Sequence, residues 1–211
     1  FKKYILKFYF SNRNIMAVGT PSRVKLFMNG NSLMSSNANH TVANARYISH
    51  TMYANLLALN YDLALFDYSR GSQTQSQIND VMASQINVNT CGANDIVLIW
   101  EITNELGINQ TITAQQAFDV QKTYVDYVKQ FTQKYIVCTC AARDFATDLI
   151  TLMPKIDEVN AMTRIEYPDP INLCDIAANS NFDTKAKASI SPPYDPDKLH
   201  LLQGGCDAVI G

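Results

Sequence analysis

The sequence predicts an α/β fold of three layers, with helices covering both faces of a mostly parallel central sheet. Short apolar runs alternate along the chain with longer segments that have the spacing of amphipathic helices. Parallel strands are buried on both faces and therefore appear as continuous apolar runs joined by helical crossovers. A length of 211 residues and a hydrophobic content of 47% suit one globular domain with a full core.

Five segments are predicted to be strands. The clearest has the sequence DIVLIW, an unbroken apolar run that follows the turn-forming residues Gly92, Ala93 and Asn94. The others are similarly short, and turn residues or helical segments separate them. In chain order, the predicted strands are residues 24–29, 62–66, 95–100, 135–140 and 171–177.

Four helices are predicted between these strands, at residues 41–59, 75–86, 113–131 and 143–153. In the third, apolar residues recur at helical spacing, and Thr113 is a suitable N-cap. The fourth is expected to end at Pro154, because proline cannot continue the hydrogen bonding of a helix interior.

The charge composition restricts the possible partners. A net charge of -2 gives no indication of a nucleic-acid or anionic-membrane partner. No apolar run reaches the roughly 20 residues that span a bilayer. Few charged residues beside abundant Asn and Gln are more typical of a secreted or particle-associated protein than of a cytoplasmic one.

The chain has five cysteines, an odd number that does not form a paired framework, and their spacing is not that of a zinc site. We interpret them as buried free thiols, with one disulfide, such as Cys91 with Cys206, as the alternative. Cys138 and Cys140 are two positions apart on a predicted strand and should face the same side.

The chain divides into an N-terminal arm or extension, residues 1–23, and one domain, residues 24–211. The arm begins FKKYILKFYF, which fits a degraded signal sequence, a packing arm or residues upstream of the natural start. Residues 206–211 look like the beginning of a helix, so the natural chain is expected to continue.

Three candidate site residues follow predicted strands, and a further motif lies near the end of the sequence. Ser32, Gly71 and Asn104 each come shortly after an apolar run, and Asp197 precedes His200 by three residues. Ligands of open α/β sheets bind outside the carboxyl ends of the strands, so the first three should meet at one edge. A serine followed along the chain by an aspartate and then a histidine indicates a Ser-His-Asp hydrolase.

Four short blocks resemble the SGNH hydrolase superfamily, also called GDSL esterases and lipases. The resemblance covers most of the chain, from about residue 24 to residue 209, and implies an SGNH or flavodoxin-like arrangement of the sheet. In order, the blocks are Gly30-Asn31-Ser32-Leu33, Ser69-Arg70-Gly71-Ser72, Ile102-Thr103-Asn104-Glu105 and Asp197-Lys198-Leu199-His200.

The chain departs from the family pattern at three positions. The family usually has Asp where Asn31 stands. Asparagine keeps the size and one acceptor of aspartate but loses its charge. It usually has Gly where Ile102 stands, so this loop cannot adopt a conformation that only glycine tolerates. It also usually has Asp where Glu105 stands.

The resemblance implies a role for each matched residue. Ser32 would be the nucleophile, His200 the base that takes its proton, and Asp197 the acid that orients the histidine. The oxyanion hole would consist of the backbone N–H groups of Ser32 and Gly71 and the side-chain amide of Asn104. Glycine at position 71 would let the substrate carbonyl approach the backbone closely.

Each residue also has a structural interpretation. Ser32 and Gly71 could serve turn geometry alone, Asn104 could stabilise the turn after its strand, and His200 could be a surface histidine.

Two classes of function follow. The first is a serine esterase that needs no cofactor or metal and cleaves short-chain acyl esters or O-acetyl groups on carbohydrate. The second is a non-catalytic binding or structural module with this fold, in a larger assembly such as a virus particle.

Overall fold

The computed structural model describes residues 23–34, 48–59, 61–180 and 182–184. Five parallel strands form one sheet in the order β2-β1-β3-β4-β5. The connections run to one side after β1 and to the other side from β3 onward, so the order reverses between β1 and β3. The strands are Val24–Gly30 (β1), Leu63–Asp67 (β2), Ile96–Trp100 (β3), Tyr135–Cys138 (β4) and Leu173–Cys174 (β5).

Helices connect these strands. Thr74 and Thr113 each begin a helix with a capping box. In each box the threonine side chain accepts from the backbone N–H of a glutamine three residues on, and the glutamine side chain accepts from the backbone N–H of the threonine. The N-cap predicted at Thr113 is thus confirmed. The helices are Ile48–Ala58 (α1), Gln75–Gln85 (α2), Thr103–Ile108 (α3), Ala114–Val128 (α4) and Leu152–Glu166 (α5), and a 3₁₀ turn spans Ile176–Ala178.

Alternating side chains of the strands build a core on each side of the sheet. Leu26 and Met28 of β1 pack on one side with Met52 of α1. Phe27, between them, packs on the other side with Ile78 of α2 and Tyr124 of α4. Since both faces are covered by helices, the predicted three-layer α/β fold with a parallel sheet is confirmed.

The region after β4 differs from the sequence prediction. Residues 143–151 form no helix, and α5 begins at Leu152 and continues past Pro154. The proline lies in the first turn of α5, where a backbone N–H has no intrahelical acceptor, so it starts this helix rather than ends it. The prediction for Cys138 and Cys140 is also wrong. β4 ends at Cys138, and the two thiols pack on opposite sides of the sheet.

Residues 1–22 of the predicted N-terminal arm lie outside the described residues. The thiols of Cys91, Cys138, Cys140 and Cys174 are free. Cys206, like the arm, lies outside the described residues. Among the described residues, no helix has both the length and the apolar character that a bilayer span requires.

Candidate active site

The turn that carries Ser32 begins where β1 meets the end of β3. A Cβ atom on Gly30 would lie 2.7 Å from the Trp100 carbonyl oxygen, so only glycine fits this approach of two strands. The side chain of Asn31 then accepts a hydrogen bond from the Leu33 N–H at 2.8 Å, which is the bond of an Asx turn. Ser32 lies within this turn and is half-buried.

The loop after β2 extends along β1 toward the same turn. The Arg70 N–H donates to the Gly30 carbonyl at 3.2 Å, and the Gln73 N–H closes a turn onto the Arg70 carbonyl at 3.3 Å. Within this turn, Ser72 has a φ of 59° and Gly71 does not have a positive φ. Gly71 is exposed, and no described atom lies within 4 Å of the position of an added Cβ. The protein itself therefore places no demand for glycine at position 71.

Asn104 joins this loop to the end of β3. It is the second residue of α3, and its side-chain amide donates to the Gln73 carbonyl at 3.1 Å. An amide nitrogen carries two protons, and this bond uses one of them. Ile102 before the helix has a φ of -178°, an extended value that any residue adopts. The isoleucine at the family's glycine position thus needs no special conformation.

Glu105 has a structural contact that suits its longer side chain. Its carboxylate accepts from the Ser76 N–H at 2.9 Å and from the Ser76 hydroxyl at 2.8 Å, in the first turn of α2. A carboxylate at a helix N-terminus satisfies unpaired N–H groups and interacts favourably with the helix dipole. Glu105 therefore ties α3 to the helix that follows the Gly71 loop.

Glu101 is a further buried carboxyl at this edge, and no motif in the sequence indicated its role. Its Oε1 atom accepts from the Asn104 N–H at 2.7 Å and from the Asn31 side-chain amide at 3.2 Å. Burial is the main cause that raises the pKa of Glu101, to about 8, and the nearby charge of Glu105 adds to it. The hydrogen bonds from Asn104 and Asn31 act in the opposite direction.

A buried ion pair contacts the first residue of α3. Arg143 donates through Nε and Nη2 to Asp148 at 2.8 and 2.7 Å, and each of the two side chains is 4% exposed. Its remaining nitrogen, Nη1, donates to the Thr103 carbonyl at 2.9 Å. A Cβ on Gly107 would lie 2.5 Å from the guanidinium, so a larger residue there would push Arg143 away from its partners. The sequence analysis did not predict this pair, because it placed Arg143 and Asp148 in a helix where the structure has a loop, and it did not predict α3.

Cys140 lies close to the start of α3, where its sulfur is 3.0 Å from the Thr103 hydroxyl. Burial raises the pKa of this thiol to about 11, so it is neutral near pH 7 and is no thiolate nucleophile. Among the described residues, no group of three His, Cys, Asp or Glu side chains could hold a metal ion.

The structure thus brings three of the five predicted site residues to one edge of the sheet. Ser32, Gly71 and Asn104 lie in adjacent segments that follow the carboxyl ends of β1, β2 and β3, and hydrogen bonds connect these segments directly. This edge includes the point between β1 and β3 where the strand order reverses, the usual ligand position in such sheets. Asp197 and His200 lie outside the described residues.

No family model matches the chain, and the search of curated proteins gave no match. Solved structures do match it along most of its length. A lipase/acylhydrolase from Enterococcus faecalis is 14% identical with a TM-score of 0.66, over 89% of this chain and 91% of that one. For a GDSL-like lipase from Bacteroides thetaiotaomicron the identity is 15% and the TM-score 0.65, over 92% and 88% of the two chains.

An acetylxylan esterase from Geobacillus stearothermophilus has a TM-score of 0.68 at 11% identity, over 89% of this chain and 90% of that one. These identities are low, but the folds agree over nearly the whole of each chain. The expected resemblance is therefore confirmed at the level of architecture, and the chain has the fold of the SGNH, or GDSL-like, hydrolases.

Proposed function

We propose that this protein is a serine esterase that hydrolyses carboxylic esters through an acyl-serine intermediate. The observation that supports this most strongly is the hydrogen-bonded convergence of the Ser32, Gly71 and Asn104 loops at the reversal point of the sheet. The fold adds support, because the solved structures similar to this chain are described as lipases, acylhydrolases and esterases.

In this proposal, Ser32 attacks the ester carbonyl after His200 has taken its proton, and Asp197 accepts a hydrogen bond from the other ring nitrogen of the histidine. The N–H groups of Ser32 and Gly71 and the second amide proton of Asn104 then stabilise the oxyanion. The Gln73 carbonyl holds the Asn104 amide in place, so this donor is fixed before the substrate arrives. The tetrahedral intermediate then collapses: its bond to the alcohol oxygen breaks, and protonated His200 gives its proton to the departing alcohol. Water next attacks the acyl-serine, with His200 as the base, and releases the carboxylic acid and Ser32.

The substrates we propose are short-chain acyl esters and O-acetyl groups on carbohydrate. The acetylxylan esterase among the similar structures supports the second class. The weakly charged, Asn-rich composition of this chain is compatible with a polar, uncharged substrate. Hydrolysis of acetylated xylo-oligosaccharide compared with p-nitrophenyl acetate and p-nitrophenyl octanoate would rank these substrates.

Labelling with a fluorophosphonate probe tests the nucleophile. The wild-type protein should be labelled on Ser32, and Ser32→Ala should lose both the label and the hydrolysis of p-nitrophenyl acetate. Ser84→Ala is a matched control, because Ser84 is exposed on α2 and its hydroxyl donates within the same helix, to the Val81 carbonyl at 2.7 Å. This control should be labelled like the wild type. A folded wild-type protein that neither reacts nor turns over would favour the non-catalytic binding module instead.

A further inference from the structure

One oxygen atom connects the turn of the proposed nucleophile to the helix of the proposed oxyanion donor. Oε1 of Glu101 accepts from the side chain of Asn31, the residue before Ser32, and from the backbone N–H of Asn104. Asn31, Glu101 and Asn104 are all buried. Because bulk water does not compete for these bonds, they hold the two loops together more firmly than exposed bonds would.

The rest of the environment fixes Glu101 itself. Its backbone carbonyl accepts from the Gln121 side chain of α4 at 3.1 Å, so the residue is anchored through its main chain as well as its carboxyl group. Among the described residues, none donates to its second oxygen, Oε2. The carboxyl group thus directs all its observed bonds toward the two site loops.

We propose that Glu101 is a positioning residue, which sets the distance between Ser32 and the Asn104 amide by binding both loops through one oxygen. This inference rests on the proposed function of Ser32 and Asn104. Misplacement of reacting groups by about 1 Å can reduce a rate about 100-fold, so a bond that fixes this distance affects turnover more than substrate binding.

The bridge also accounts for asparagine at position 31. Oδ1 of Asn31 makes the turn bond to Leu33, and Nδ2 donates to Glu101. An aspartate would keep the first bond and lose the second, and it would place another carboxyl against Glu101 in a buried site. Asn31 and Glu101 therefore form a matched pair of donor and acceptor, and an aspartate at position 31 beside Glu101 breaks the match.

Two sets of variants test this inference, with kcat calculated per fluorophosphonate-reactive site so that unfolded protein does not count. Glu101→Leu keeps a similar side-chain size but removes the oxygen that accepts from Asn31 and Asn104. It should lower kcat about 10- to 100-fold with little change in KM. Glu101→Gln retains an oxygen at Oε1 and should remain close to the wild type. Glu158→Gln, on the exposed surface of α5, controls for the loss of one carboxyl group.

The second set exchanges the partners and preserves side-chain size if the leucine variant does not fold. Asn31→Asp should lower kcat, and adding Glu101→Gln to the same chain should restore much of it, because the glutamine amide can donate to the new carboxylate. A residue with only a structural role would reduce the yield of folded protein without this restoration. Normal kcat in Glu101→Leu, or no restoration in the double variant, would overturn the positioning role while leaving a labelled Ser32 as the nucleophile. A wild-type protein without a reactive Ser32 would overturn the proposed function and this role together.

Discussion

Replacing Glu101 by glutamine should flatten part of the pH dependence of stability. The carboxyl group is 1% exposed, and its pKa rises from 4.5 to about 8 mainly because of burial. Between these two values the folded state retains a proton that the unfolded state releases. Stability from this group is therefore fully present below pH 4.5 and is lost as the pH rises toward 8. The groups that face this carboxyl are Asn31, Asn104, Glu105 and Cys140.

The magnitude follows from the linkage between proton binding and folding. Stability changes by about 1.4 kcal/mol for each pH unit over which the two states differ by one proton. Between pH 5 and pH 7 the wild-type protein should thus lose roughly 3 kcal/mol relative to Glu101→Gln. For a chain of this size, that corresponds to a relative shift of about 6 to 12 °C in Tm. Any other effect of the substitution on stability is a constant offset, because it does not depend on pH.

Urea unfolding of both proteins at pH 5, 6, 7 and 8, followed by circular dichroism, measures the difference. We expect the free energies of unfolding to diverge steadily up to about pH 8 in favour of the glutamine variant. Glu158→Gln, which removes an exposed carboxyl group, should stay parallel to the wild type. Parallel curves for the wild type and Glu101→Gln from pH 5 to pH 8 would show that Glu101 ionises normally in the folded protein.

Three further changes separate activity from stability. Gly71→Ala should leave Tm almost unchanged, because no described atom meets the new Cβ, yet should lower kcat/KM if the substrate carbonyl approaches this backbone. Asn104→Ala should lower kcat about 10²- to 10³-fold at nearly constant KM. If this variant is less stable but has a normal single-turnover rate, Asn104 has only a structural role, through its bond to Gln73. Arg143→Met should cost about 3 to 5 kcal/mol of stability in urea unfolding, since it leaves Asp148 buried without its cation; a loss below about 1 kcal/mol would contradict the role of the pair as a support for α3.

The fold could be predicted from the sequence because its main signals are local. Short, largely apolar runs marked all five strands, although the fifth, predicted at residues 171–177, covers only Leu173–Cys174, and Thr113 marked the start of α4. The error at Pro154 arose because a proline is equally compatible with the end of one helix and the first turn of the next. The six-residue helix α3 was missed because it is too short to show a hydrophobic period.

The site was predicted only in part, for a different physical reason. The convergence of Ser32, Gly71 and Asn104 could be predicted because each follows a strand, and parallel strands bring their ends together. Glu101 and Arg143 were not found, since their importance comes from burial and from partners 70 and 40 residues away in the chain. Sequence spacing carries no information about such contacts, and a single carboxylate or guanidinium gives no pattern to recognise. The parts that Asp197 and His200 play remain predictions.

Mapping of the residue modified by a fluorophosphonate probe tests the central claim most directly. We predict that tryptic peptides of the wild-type protein carry the label on Ser32 alone. We also predict that His200→Ala slows the labelling strongly, because the serine then lacks its base. Exclusive labelling at another serine, or labelling of Ser32→Ala at the wild-type rate, would contradict the claim that Ser32 is the nucleophile.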